Sequence, residues 1–208
     1  MQKHAAHSLL LLLAAAAAPA QTVSFGVKGG IPLIAPNTWN DESRPYIIGP
    51  SVEVRLPAGF AIEADALYRR IGNSFAYSFI TGTATGSYTS RVRGNSWEFP
   101  LLAKYYFHFK QSGWQPFVGT GYAFRTIHYH DDSYYSIPSG TNLVGIAPSG
   151  PVSSNYGSSL EVGAVISAGV RYRIGRFALL PEVRYTRWGG TENGMRRNEA
   201  NVMLGINF

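Results

Sequence analysis

Along residues 22–208, apolar side chains recur at every second position rather than at the i, i+3, i+4, i+7 spacing of an amphipathic helix, which predicts an all-β chain. Eight stretches carry the alternation: 22–31, 46–56, 60–69, 97–109, 117–125, 159–174, 177–187 and 199–208. Most approach the roughly 9–11 residues with which a tilted strand crosses a bilayer. Within each stretch the charged residues share one face, and the opposite face is almost wholly apolar. The charged face holds Lys28, Glu53, Arg55, Glu63, Asp65, Arg69, Glu98, Lys104, Arg125, Glu161, Arg171, Arg173, Glu182, Arg184 and Glu199. Val23, Phe25, Ile48, Val54, Ile62, Phe99, Leu101, Leu179 and Val183 typify the other. A soluble secreted barrel alternates too, with its apolar face turned inward, so alternation alone leaves both architectures open. Leu67, Leu102, Val165 and Leu180 fall on the charged face and predict apolar patches within it. Pro50, Pro100 and Pro181 lie inside the predicted strands and predict bulges or shifted strand ends, because each removes a ladder donor.

The connections favour a membrane. They alternate long and short: a loop of about 14 residues, the turn Pro57-Ala58-Gly59, a Gly/Ser/Thr-rich loop through Ser96, a short turn at Ser112-Gly113, the long loop 126–158, the tight turn Gly175-Arg176, and a loop of about ten residues. Outward aromatics gather at both strand ends, with Phe60, Phe109, Tyr172, Phe177 and Phe208 on the turn side and Tyr46, Tyr68, Trp97, Phe124 and Tyr185 on the loop side. The alternation Val202, Leu204, Ile206, Phe208 resembles the C-terminal signal read by the outer-membrane barrel-assembly machinery, making Phe208 the candidate assembly signal and that machinery an expected partner. Lys3, the apolar run Leu9 to Ala18 and the small-x-small Ala18-Pro19-Ala20 predict a cleavable signal peptide over 1–20, leaving 21–208 as one domain.

The segments WEFPLLAKYYF (97–107), QPFVGTGYAFR (115–125) and LLPEVRYTRW (179–188) resemble the small OmpA/OmpX-like outer-membrane β-barrel family. The resemblance covers essentially the whole of 21–208. It implies an eight-stranded antiparallel transmembrane barrel in the cell outer membrane, with surface loops and structural, adhesive or protective roles. None of these segments is an activity motif.

Charge and composition sharpen the expectation. The formal net charge is +6, and a secretory signal makes phosphate-rich outer-leaflet lipid, not nucleic acid, the expected polyanion. Cysteine is absent, which excludes disulfides and thiol chemistry. The inner-face charges nearly balance, and an eight-stranded lumen is just wide enough for side chains to fill. Ion pairs are therefore expected among Glu53, Arg55, Glu63, Asp65, Glu98, Lys104, Arg125, Glu161, Arg171, Arg173, Glu182 and Arg184, leaving no continuous channel. A slip of one residue would put such a charge in lipid at roughly 2–4 kcal/mol for Arg or Lys at mid-bilayer, so the charges also fix register.

Other chemistry is thinner. His128 and His130 share a face if their strand continues outward, and with Asp131 and Asp132 nearby they are weak metal candidates against a polar loop extension. A protease would need an acidic dyad beside an Asp-His pair. A deacylase would need a C-terminal His, and no histidine follows His130. Neither a catalytic set nor a cofactor is expected. Arg70, Arg91, Arg93, Arg187, Arg196 and Arg197 lie near the outer rim as candidate lipopolysaccharide contacts, weighed against solvated loop charge. The expectation is a monomeric, non-enzymatic barrel acting through its outer loops, with a small-solute pore and an outer-leaflet enzyme as the alternatives.

Overall fold

Proline and glycine punctuate the short turns, while β-branched and aromatic residues fill the stretches between them. The computed structural model shows what this patterning builds, describing residues 22–34, 43–81, 84–108, 113–136, 150–157, 160–190 and 195–208. Ten strands follow in chain order: β1 Thr22–Ile34, β2 Ile47–Arg55, β3 Phe60–Asp65, β4 Leu67–Thr81, β5 Ala84–Tyr106, β6 Trp114–Ser136, β7 Gly150–Gly157, β8 Glu161–Ile174, β9 Phe177–Trp188 and β10 Asn198–Asn207. The first strand pairs with β2 on one side and β10 on the other, and β5 pairs with β6, so the sheet closes on itself. β3 and β4 form one wall strand interrupted at Ala66, and β7 pairs only with the outer part of β6. The result is a closed, antiparallel, eight-stranded barrel.

The side chains sort as the period of two dictates, with polarity inverted relative to a soluble barrel. Lys28, Glu53, Glu63, Arg125 and Glu199 are fully buried, while Phe25, Leu33, Tyr122 and Phe208 are each more than 60% exposed. The apolar face points outward, which removes the soluble secreted barrel as an alternative. Aromatic pairs ring both ends of the wall: Phe60 with Tyr105, Trp114 with Tyr172 and Phe177 with Phe208 on the turn side, and Tyr68 with Trp97 on the other. Phe109 and the signal segment 1–20 lie outside the described residues.

Two expectations need correction. The prolines neither bulge the wall nor shift its register. Pro50 stands opposite Ala66, and Pro100 lies in the neighbouring strand at the same height, so the segment between them lacks donors on both sides. The ladder opens there, with Ala66 donating its N–H to the Pro50 carbonyl at 3.0 Å, and β3 and β4 keep one register across the gap. Gly49 is required at this point, because a Cβ there would lie 1.8 Å from the Ala66 carbonyl oxygen. Pro181 likewise opens the β8–β9 ladder between Gly169–Glu182 and Tyr172–Leu179 without a shift. The one register irregularity in β1 is instead between Pro32 and Ile34.

The second correction concerns the long loops. Much of the region expected to be loop up to Ser96 is a hairpin, paired residue by residue from Leu67–Glu98 to Thr81–Ala84. Much of the loop expected over 126–158 is also strand, as the end of β6 and the whole of β7. Together the outer parts of β4, β5 and β6 with β7 make a four-stranded sheet standing above the wall. From Tyr68 to the hairpin tip, β4 spans roughly 40 Å of chain.

Candidate functional site

The lumen is filled in layers. At the turn end, Glu53 accepts from Arg55 Nε at 3.1 Å and from the Tyr106 hydroxyl, and Arg55 lies 4.9 Å over the Tyr106 ring. Ala61, Tyr106, Phe117, Ala178 and Leu180 pack there as an apolar floor. The central layer joins three cations to three carboxylates. Arg184 donates to Glu182 at 2.9 Å, Asp65 at 2.8 Å and Glu63 at 3.1 Å. Lys104 reaches Glu63 at 2.6 Å and Glu182 at 3.2 Å, while Lys28 bonds Glu63 and, at 3.0 Å, Glu182. This layer is neutral by count, and every member is at most 5% exposed.

The upper layer is built around Trp188. Arg125 stacks 4.0 Å from its ring and donates to Glu161, and Trp188 Nε1 donates to Glu199 at 3.2 Å. Arg69 bonds Glu199 and, at 3.2 Å, Asn201. Apolar clusters separate and cap the charged layers: Leu102, Ala123, Val165 and Trp188; Ile47, Leu67 and Met203; and, outermost, Ile71, Ile127, Tyr129 and Met195. A continuous water path would have to pass all of these.

Three residues expected in lumen ion pairs are not in one. Glu98 is buried with Oε1 unpartnered and no cation within bonding distance. Arg171 bonds the neutral Gln115 at 3.3 Å, and Glu53, the carboxylate near it, is held by Arg55 and Tyr106. Arg173 is exposed beyond the floor. Tyr106, Trp188, Asn201 and Phe117 enter the lumen although they stand in no expected ion-pair set. Parity marks them, since each shares the face of a charged neighbour in its own strand.

On the outer sheet, His130 and His128 lie on the outward face of β6. His130 Nε2 is 3.0 Å from Asp132 Oδ1, and Nδ1 is 2.6 Å from Asn155 Oδ1. His128 stands apart from this arrangement beside Gly157. Ser153 donates to Asp132 at 3.3 Å, the carboxylate oxygen that the imidazole also meets. Among the described residues no three His, Cys, Asp or Glu side chains gather as a metal would require. Arg70, Arg91 and Arg93 share the outward face of the β4–β5 hairpin, with Arg91 opposite Asp132 and Arg93 opposite His130. Arg187 faces outward from β9, and Arg196 and Arg197 are exposed just before β10.

Residues 6–208 match the family described as outer membrane protein beta-barrel domain. The chain belongs to this family. It is an outer-membrane protein, and the apolar belt of its barrel is the lipid-facing surface. Two solved barrels are similar at low identity. The N-terminal barrel of OprF from Pseudomonas aeruginosa is 16% identical, covering 89% of this chain and 96% of that one, with a TM-score of 0.44. Neisserial surface protein A is 13% identical, covering 90% and 97%, with a TM-score of 0.47. No curated protein matches the sequence.

Proposed function

We propose that this outer-membrane barrel is non-enzymatic and non-conducting, and that it acts through the sheet it raises above the membrane. The observation that supports this reading is the lumen: a neutral six-residue ion cluster lies between an apolar floor and further apolar clusters, all of them buried. On the outer sheet, the hydroxyl and imidazole that an enzyme would couple are each tied separately to Asp132. The outward arginines Arg70, Arg91 and Arg93 on one side, and Arg187, Arg196 and Arg197 on another, support lipopolysaccharide phosphates as the partner, for which guanidinium offers paired donors. The loop ligand is left to experiment, the protein acts as a monomer, and Phe208 serves the barrel-assembly machinery as its recognition end.

Single-channel recording of the refolded protein in a planar bilayer tests the reading, with heat-modifiable gel mobility reporting the fold of the same preparation. A folded, silent barrel is expected. Reproducible current steps would replace the sealed lumen with a small-solute pore. For the rim, Arg70→Gln combined with Arg93→Gln is expected to weaken binding to lipopolysaccharide micelles about tenfold, read by calorimetry, with gel mobility unchanged.

A further inference from the structure

Register sorts the outward face of the raised sheet into rows, because residues directly opposite in adjacent strands point the same way. Nearest the lipid belt stand Arg70, Asn95 and His128, followed by Gly72, Arg93, His130 and Asn155. The next row is Ser74, Arg91, Asp132 and Ser153, and beyond it come Ala76, Thr89, Tyr134 and Pro151. Ala76 and Thr89 are small, and a recess of about 440 Å³ opens over them. Arg91 and Asp132 bound it on the membrane side, and Tyr134 and Pro151 bound it toward β7.

The lining suits a ligand covered in hydroxyls. Arg91 stands directly opposite Asp132, so the one cation and the one anion of the recess cancel, and neither a phosphate nor a metal ion is favoured there. A hydroxyl both donates and accepts, which fits a carboxylate beside a guanidinium. Asp132 meets His130 and Ser153 through Oδ1, leaving Oδ2 to a ligand. Tyr134 is 52% exposed and offers an apolar ring to the C–H face of a pyranose, with its own hydroxyl alongside. The volume lies within the roughly 300–1,000 Å³ of small-molecule sites.

We propose that this recess binds a saccharide, held by Asp132, Arg91 and the Tyr134 ring. The proposal rests on the reading that the protein acts through its raised sheet, and it gives that sheet a ligand class distinct from the phosphates assigned to the rim. An added peptide strand is less suited, because it would need unpaired main-chain groups, and the recess lies on the face of the ladder rather than at its edge. The order of the rows agrees with a saccharide: Arg70 and Arg93 lie nearer the lipid than the recess does, as the phosphates of a lipopolysaccharide lie below its sugars. Two sources share this chemistry: the sugars of lipopolysaccharide in the same membrane and a glycan on another surface.

The test uses the folded protein in lauryldimethylamine oxide, a detergent without sugar. Calorimetric titration with the core oligosaccharide of lipopolysaccharide, freed of lipid and phosphate by hydrolysis, addresses the first source, and an array of neutral, sialylated and sulfated oligosaccharides addresses the second. Saturable binding of a saccharide without phosphate or sulfate is expected, weakened about fivefold or more by Asp132→Asn and by Tyr134→Ala and unchanged by Val152→Thr on the reverse face. No saturation up to about 10 mM with either set of probes, or equal weakening by all three variants, would overturn the site. Recognition confined to sulfated or sialylated glycans and indifferent to Tyr134→Ala would overturn it in favour of the positive field of the rim arginines. These probes carry no phosphate, so their failure to bind leaves the reading of Arg70 and Arg93 to its own micelle titration. A second measurement needs no variant: tyrosine nitration by tetranitromethane, mapped by peptide mass. Bound saccharide should shield Tyr134 while Tyr77, equally exposed on the reverse face, stays reactive, and equal reactivity of Tyr134 with and without saccharide sinks the proposal. Binding of the core oligosaccharide assigns the site to the protein's own membrane, and binding of an array glycan alone assigns it to another surface.

Discussion

At the residue scale, the interior depends on groups whose partners come from far along the chain. Arg184 is 2% exposed and serves three carboxylates from β3 and β9. Arg184→Leu leaves those carboxylates to Lys28 and Lys104 alone. It should lower folding stability by about 3–5 kcal/mol in reversible urea titrations followed by gel mobility, with Arg184→Lys losing less. Trp188→Phe keeps a ring over Arg125 but removes the donor to Glu199, and a loss of about 1–3 kcal/mol is expected in the same assay. Which residues enter the lumen was legible in the sequence, because a period of two fixes direction: Trp188 shares the face of Arg184, and Tyr106 that of Lys104. Who meets whom was not. Parity gives no height along the barrel axis, and pairs such as Arg69 with Glu199, 130 positions apart, depend on the stagger acquired at closure. For this reason Arg171 and Glu98 could be placed inside by sequence yet not assigned a partner.

At the element scale, the sheet above the membrane is what sequence reading took for loop. Its composition misled, since Ser, Thr and Gly fill most of 72–96. The alternation was nevertheless present, with Phe75, Tyr77 and Phe79 separated by small residues. These rings share one face, where Tyr88 packs 5.2 Å from Tyr77, 5.7 Å from Phe75 and 4.5 Å from Tyr135. A sheet without a hydrophobic core beneath it relies on such cross-strand pairs. Tyr88→Ser removes the ring common to all three contacts. Tryptic cleavage at Arg91 or Arg93 should then accelerate about tenfold or more, while the heat-modifiable mobility of the barrel remains unchanged. Loss of that mobility would mean that the hairpin and the wall fold as one element. The prolines teach the complementary lesson: Pro50 and Pro100 were correctly read as missing donors. Their effect is a gap shared across three strands at Ala66, which needs the neighbouring strands to be known.

At the scale of the whole molecule, closure divides the structure into two regimes. In the wall every strand has a partner on both sides, and the surrounding lipid offers no competing hydrogen bonds, so an amide there opens only when the barrel does. Above the wall, closure is lost. Among the described residues, β7 pairs only with β6, and β4 beyond Gly72, whose backbone meets Ser43, pairs only with β5, so the sheet has two edges in water. Hydrogen exchange should therefore separate the two parts without any mutation. Amides of β7 and of outer β4 should exchange about a thousandfold or more faster than those of β9 and β10, whose protection should fall together at global unfolding. Uniform protection would make the raised sheet part of the cooperative unit, and a rigid platform. The expected contrast gives instead a stable anchor bearing a surface with lower opening energy, free to adjust to what it meets while lipid and the ion-paired lumen hold the wall.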